Sequence, residues 1–520
     1  MVFELTSILA MQGITKIYPN GLIANRDVDF MVEKGEIHAL IGENGAGKTT
    51  LMKILFGAEQ PERGTVHLRG EPINFSGPME AIKAGIGMVY QHFMLVESMT
   101  VAENVVLGLE PCKWGLINIE EAQRRTLEIS KQYNLNVDPK ARIMDLSIGQ
   151  KQKVEILKVL YRKAEILILD EPTAVLTPQE TRELFVQLKE MKEKGITVIF
   201  ISHKLKEIVE LCDRLTVLRR GESVARASVA GITESEISKL MLGQEVQLGV
   251  EKESAKPGAP SLRVKNLIVR NDEGRNAVND ISFGVRNGEI LGIAGVEGNG
   301  QTELAMAISG LTKYAAGIVE IAGKDIRGAS VRGIRELGFS HIPEDRMTYG
   351  ACAFAGVYEN LISDRYYKKG YSKYGLLQSN HINSEGDELI SGYYIKCRSG
   401  REPVLSLSGG NIQKVVVARE CSAVPGVLLA NQPTRGIDVM AAGFVRRKLI
   451  AMRDTGAAIL LISADIDEVL EVSDSIIVMQ NGKIAAYFSD ATQATAEILG
   501  EYMLGLKTQT TEEIRRVFHE

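Results

Sequence analysis

Eight residues, Gly42-Glu43-Asn44-Gly45-Ala46-Gly47-Lys48-Thr49, have the types and spacing to hold a polyphosphate. The glycines let successive backbone N–H groups converge on phosphate oxygens, and a helix opening at Lys48 adds the positive end of its dipole. Lys48 is expected to reach the outer phosphates and Thr49 to ligate magnesium, with Thr50 completing the binding set. The run follows an apolar strand over residues 37–41 and precedes a helix over residues 48–56. That context separates a phosphate loop from a chance glycine turn. A second strand, Ile166-Leu167-Ile168-Leu169, runs into Asp170-Glu171-Pro172-Thr173. Carboxylates at that strand end fall at the carboxyl edge of a parallel sheet, where the loop also lies. Asp170 suits an outer partner of magnesium, and Glu171 a base that orients and deprotonates water. The next strand ends in Ser202-His203, where a histidine is either structural or a contact to the last phosphate.

The elements that must position these residues occur twice. A second loop reads Gly295-Val296-Glu297-Gly298-Asn299-Gly300-Gln301-Thr302, and Gly35/Gly288, Gly57/Gly310 and Gly85/Gly338 repeat at the spacing of Lys48/Gln301. Asp170/Asn431 lie further apart, so the second copy carries extra residues around 349–400, a tyrosine-rich stretch read as a decorated surface subdomain or a docking surface. Apolar strands alternating with amphipathic helices give an α/β fold in each half. A chain of 520 residues suits two domains, and 45% hydrophobic with 24% charged residues is ordinary globular composition. A net charge of −5 gives no reason to expect nucleic acid. No apolar run approaches a membrane span, and the start lacks a basic, apolar leader, so secretion is not expected. Five scattered cysteines without a CxxC pair suit reduced thiols, and the seven dispersed histidines propose no zinc site. The run Arg446-Arg447-Lys448 reads as a solvated helix face.

With these residues in hand, Leu407-Ser408-Gly409-Gly410-Asn411 resembles the signature of the ATP-binding cassette (ABC) family, and the likeness covers nearly the whole chain. The resemblance implies two tandem P-loop NTPase domains, each with a RecA-like core and a helical subdomain. The boundaries expected are residues 1–244 for the first, 245–260 for a linker, 261–507 for the second and 508–520 for a tail. It implies an ATPase using ATP and Mg2+, in which the signature of one cassette closes over ATP held by the other. Ser408, Gly409 and Gly410 would then offer donors to the γ-phosphate from a helix N-terminus. By the same resemblance Tyr18 stacks on adenine, Gln91 senses magnesium and touches the membrane partner, and Asp438 is the D-loop aspartate. Together with Lys48, Glu171 and His203, residues Gln91, Ser408 and Asp438 form the expected catalytic set. The metal set is Thr49, Gln91 and Asp170.

Each role can be checked in the second copy. Tyr18 becomes Asn271, Lys48 becomes Gln301, Gln91 becomes Glu344, Asp170 and Glu171 become Asn431 and Gln432, and His203 becomes Ala464. Conversely, the first signature is Leu146-Ser147-Ile148-Gly149-Gln150, with a branched side chain at the place of Gly409 and Thr177 at the place of Asp438. The losses sort by site rather than by half. In head-to-tail pairing within one chain, one composite keeps every part and the other loses every part. One hydrolytic and one structural or weakly binding site are expected, with phosphate binding by the second loop left open.

Tandem cassettes without a membrane segment resemble the ATPase subunits of bacterial importers for sugars and nucleosides. Tyr90-Gln91-His92-Phe93-Met94-Leu95-Val96, Leu157-Lys158-Val159-Leu160-Tyr161-Arg162 and Ile342-Pro343-Glu344-Asp345-Arg346 look most like the nucleoside branch. The implied partners are two membrane permeases and an extracellular binding protein or lipoprotein, with the chain at the cytoplasmic face of the membrane. The unlike pair Gln91 and Glu344 points to non-identical permeases. A ribose- or galactose-type importer shares the architecture. A tandem cassette acting on ribosomes would carry a long, basic, helical linker, whereas the linker here is short and mixed in charge.

Overall fold

The computed structural model describes residues 7–19, 21–91, 93–174, 176–202, 204–243, 252–271 and 273–518. His203, residue 244 at the end of the first expected domain and residues 245–251 of the expected linker lie outside the described residues. The chain divides into two compact units, Met1–Val246 and Gln247–Glu520.

In the first unit a six-stranded sheet runs in the order Glu222–Ser228, Arg214–Arg219, Ile37–Gly42, Thr197–Ile201, Ile166–Asp170, Ile86–Val89. All but the first of these pair in parallel. The three strands at its middle, Ile37–Gly42, Thr197–Ile201 and Ile166–Asp170, are buried at every position. Such unbroken apolar strands are what a parallel sheet covered on both faces requires. Pairing of Ile201 with both Leu40 and Asp170 aligns the carboxyl ends of the three strands. The glycine loop, Glu171 and Ser202 therefore leave the sheet along one edge.

A four-stranded antiparallel sheet, in the order Ile23–Glu33, Ser7–Ile17, Arg63–Leu68, Glu71–Ile73, closes over one face. The helix Lys48–Leu55 packs between the sheets, with Leu51 and Met52 fully buried beside Phe30, Leu40 and Ile168. Each such side chain contributes about 2 kcal/mol of burial, which fixes the loop preceding the helix. The helices Val101–Val106, Ile119–Gln132 and Ile148–Tyr161 form the helical subdomain.

The second unit repeats this plan. Its main sheet runs Phe339–Ile342, Val427–Asn431, Ala458–Ile462, Glu289–Ala294, Ser475–Gln480, Lys483–Phe488. The helices Val357–Leu361, Ser379–Gly392 and Gly409–Ser422 make its helical subdomain, with Val357, Leu361, Ile412 and Val415 in their shared core. The extra residues fall partly before the helix Val357–Leu361 and partly between it and the hairpin Ser372–Lys373/Leu376–Leu377; Tyr366 before the hairpin and Tyr374 at its turn are exposed.

Residues 252–259 of the expected linker are held by the second unit: Glu253 O accepts from Arg453 Nη2 at 3.0 Å, and Gly258 N donates to Asn287 O at 2.8 Å. The tail is held as well. Gln509 N donates to Ala485 O at 2.9 Å, and Val517 is fully buried. The basic run is a correction. Of the three basic residues, carried on the helix Val439–Asp454, only Arg447 is exposed. Arg446 pairs with Asp465, Glu468 and Glu471, and Lys448 sits over the rings of Tyr393 and Phe444. Three carboxylates from the neighbouring helix outweigh the solvation that a run of basic residues would otherwise favour.

Candidate functional site

The first glycine loop turns through two left-handed residues, Gly45 at φ 82° and Gly47 at φ 99°. Gly47 has no substitute: a Cβ there would stand 2.3 Å from Ala24 O and 2.5 Å from Asn25 Nδ2. The buried Asn25 amide fixes the turn by donating to Gly47 O at 3.2 Å. Asn44, Gly45 and Thr49 are exposed at the mouth, while Gly42, Ala46 and Lys48 are buried. Lys48 Nζ donates to the loop's own carbonyls, Gly42 O at 2.7 Å and Glu43 O at 3.0 Å. Burial lowers its ammonium below the ordinary lysine range, against the pull of Glu171 and Asp170. Tyr18 reaches the same helix start, with its hydroxyl 3.3 Å from Thr50 Oγ1.

Asp170 ends its strand buried, and burial followed by the neighbouring Glu171 carboxylate pushes its carboxyl up to about 6. Glu171 takes a left-handed backbone at φ 48° and donates its N–H to Ile201 O at 2.9 Å. Gln91 Nε2 donates to Glu171 Oε2 at 3.0 Å. Ser202 and Thr173 are both tied to Glu207 Oε2, at 2.9 and 2.8 Å. Lys48, Gln91, Asp170, Glu171, Tyr18 and the loop are thus gathered at one sheet edge. Two adjacent carboxyls, an amide and the Thr49 hydroxyl form the oxygen donor set a small hard cation takes. The residues present fit Mg2+.

The second unit keeps the same backbone with other side chains. Gly298 and Gly300 are left-handed at φ 90° and 96°, and Gln432 repeats Glu171 at φ 49°. Gln301 Nε2 donates to Val296 O at 3.2 Å, a neutral version of the Lys48 contact. Gln432 Oε1 accepts from Ala464 N at 3.1 Å. Sequence reasoning missed what fills the mouth. Arg435 pairs with Glu344 and, at 3.4 Å, with Glu297, while Thr302 Oγ1 donates to Glu344 Oε2 at 3.4 Å. The signal was present: Asn44, Gln91 and Ala174 are replaced by Glu297, Glu344 and Arg435. Two acids and one arginine are gained together where the first copy is neutral.

The two signatures also differ. Ser147 Oγ accepts from Gln150 N at 3.3 Å and Gln150 reaches back to Ser147 N, so the helix Ile148–Tyr161 caps itself. Ser408 is exposed and takes its hydrogen bond from the Asn411 amide at 2.9 Å instead of from a helix N–H. The start of the helix Gly409–Ser422 has no side-chain cap. A Cβ at Gly410 would stand 3.0 Å from Asp438 Oδ2, and Asp438 Oδ1 accepts from Ala441 N at 2.7 Å. Signature and D-loop aspartate are therefore packed together.

Fold and site define a nucleotide-binding P-loop ATPase built from two cassettes, of which the first gathers Lys48, Gln91, Asp170 and Glu171 at one sheet edge. The chain belongs to the ABC transporter family, whose model matches residues 25–174 and 278–435. Over 498 residues it is 45% identical to the guanosine import ATP-binding protein NupO of Bacillus subtilis, covering 96% of this chain and 97% of that one. The nucleoside import ATP-binding protein NupA of Lactococcus lactis subsp. cremoris is 45% identical over 499 residues, covering 96% and 98%. The ribose import ATP-binding protein RbsA 1 of Rubrobacter xylanophilus is 38% identical over 508 residues, covering 97% and 99%.

Proposed function

We propose that this chain hydrolyses ATP at one site, laid on the first cassette's P-loop and closed by the second cassette's signature, to drive nucleoside import. The observation that carries the hydrolysis is the gathering of Lys48, Gln91, Asp170 and Glu171 at one sheet edge, against the neutral or latched groups at the same places in the second unit. The substrate class is supported by relatives named for nucleoside import at 45% identity, where those named for xylose and ribose import stand at 40% and 38%.

In this reading the phosphates of ATP enter the N–H cradle, Lys48 exchanges its carbonyl partners for phosphate oxygens, and Tyr18 covers the adenine. Thr49, Gln91 and Asp170 would hold Mg2+, which when bound neutralises phosphate charge and orients the outer phosphates. Glu171, released from Gln91, orients the attacking water and takes its proton on the carboxylate. Ser408 and the N–H groups at Gly409 and Gly410 donate to the γ-phosphate from the uncapped helix start, with Asp438 beside them. ATP-driven pairing of the two cassettes would then shift the Q-loop faces at Gln91 and Glu344. That motion would rock two permeases, non-identical because the two faces differ in charge.

The chain would sit on the cytoplasmic face of the membrane and receive substrate captured by an extracellular binding protein or lipoprotein. Among the described residues no helix is long and apolar enough to cross a membrane. The first cassette would end near residue 244 and the second begin near residue 261. Uptake of labelled guanosine and ribose by cells carrying Lys48→Ala tests the reading. Loss of guanosine uptake with ribose uptake intact is expected, and the reverse pattern would assign the chain to a sugar.

A further inference from the structure

We propose that Arg346 is a positioning residue for ATP hydrolysis, stapling the Q-loop of the second cassette to its D-loop turn and to the start of its signature helix. The proposal rests on the shared-site reading above. Arg346 Nη1 donates to Arg435 O at 3.1 Å and Nη2 to Gly436 O at 3.3 Å. A Cβ at Gly409 would stand 3.2 Å from the same Nη2, and one at Gly436 would stand 3.3 Å from it. The guanidinium therefore lies between the first residue of the signature helix and the turn that leads to Asp438.

The connection runs in both directions. Glu344, two residues before Arg346, takes the side chain of Arg435. Between them Asp345 accepts from Met347 N and Thr348 N at 2.9 Å each, which holds the segment in its turn. From Gly436 the chain passes to Asp438, whose carboxylate packs against Gly410 and caps the helix Val439–Asp454. Q-loop, D-loop and signature of this cassette thus meet at one side chain. A planar two-armed donor suits two successive carbonyls, where an ammonium would act as a point donor.

The first cassette lacks the parts. Phe93 stands in register with Arg346 and Ala174 with Arg435, and Gln91 turns to Glu171 at 3.0 Å. Among the described residues the staple is built only in the cassette that carries Ser408, Gly409 and Asp438. Its consequence is mechanical: a displacement of the second Q-loop reaches Ser408, Gly409 and Asp438 through Arg346, while the P-loop of the first cassette goes on binding nucleotide without it.

The test compares Arg346→Ala and Arg346→Lys in the full chain. Steady-state hydrolysis gives kcat, and ATP affinity is measured separately in the Glu171→Gln background. Arg346→Ala is expected to lower kcat by about tenfold or more with ATP affinity within about twofold, since positioning and not binding is lost. Arg346→Lys, which keeps one donor arm and the stem, should recover part of kcat. An unchanged kcat in Arg346→Ala, or a fall in affinity matching the fall in kcat, would overturn the staple. Ser408→Arg in the same assay separates the two claims. Hydrolysis surviving Ser408→Arg sinks the shared site, whereas hydrolysis lost there but intact in Arg346→Ala sinks the staple alone.

Discussion

Glu171 stands where it does through a backbone conformation that L-residues avoid, φ 48°, and Gln432 repeats it at φ 49°. Holding a non-glycine residue there costs about 1–3 kcal/mol, offset by the N–H bonds to Ile201 O and Ile462 O. The second cassette keeps the strained geometry after losing the carboxylate, so the turn belongs to the scaffold and the charge to the chemistry. Glu171→Gln, which preserves shape and hydrogen bonding to Gln91, is expected to slow turnover by roughly 10²-fold while ATP still binds. Near-normal turnover, measured by phosphate release, would remove Glu171 from the role of base. This residue was legible in the sequence because an apolar strand ending in Asp170-Glu171 leaves few other places for two carboxylates. Arg435 was not, because its partners Glu297 and Glu344 are distant in sequence and only the folded loop brings them to one guanidinium.

At the scale of elements, strands and helices were readable wherever one period dominated. The strands Ile37–Gly42 and Ile166–Asp170 and the helix Lys48–Leu55 fall within a residue or so of where their apolar runs place them. Less legible was anything set by a neighbouring element. Arg446 looks solvated along its own helix and is in fact ion-paired across to Asp465, Glu468 and Glu471. The two signature helices show the same limit: Ser147 and Ser408 are the same residue type, yet only Gln150 closes a cap.

The strand Phe339–Ile342 carries a testable consequence of burial. Enclosure of the His341 ring, with its Nε2 unpartnered among the described residues, pushes it down to about 4 against the pull of the Glu420 carboxylate, and Arg335 and Arg419 add to the lowering. The unfolded chain takes this proton near pH 6.5 and the folded chain only near 4. Stability is therefore full above about pH 6.5 and falls as pH drops toward 4. His341→Leu should lose about 1–2 kcal/mol less than the parent between pH 7 and pH 5 by denaturant titration, allowing for partial exposure of the residue. An equal loss in both would show that the imidazole is not held neutral.

At the scale of the molecule, the duplication was evident from the glycine spacing alone, and the division into two units follows it. What the sequence could not display is that the altered copy is rebuilt and not merely eroded. Arg435 latches its loop and Arg346 staples its Q-loop to the intact signature. On the proposed reading, a cassette rebuilt in this way would give up hydrolysis of its own and keep the surfaces that complete its neighbour's. In the same proposed reading one triphosphate is clasped by both cassettes. An electron cryo-microscopy map of the Glu171→Gln chain with its membrane partners and Mg-ATP tests it most directly. The expected map shows a triphosphate with Lys48 of the first cassette on one side and Ser408 of the second on the other. A γ-phosphate facing Ser147, or a triphosphate seated at Gln301 with the Lys48 loop empty, would contradict it.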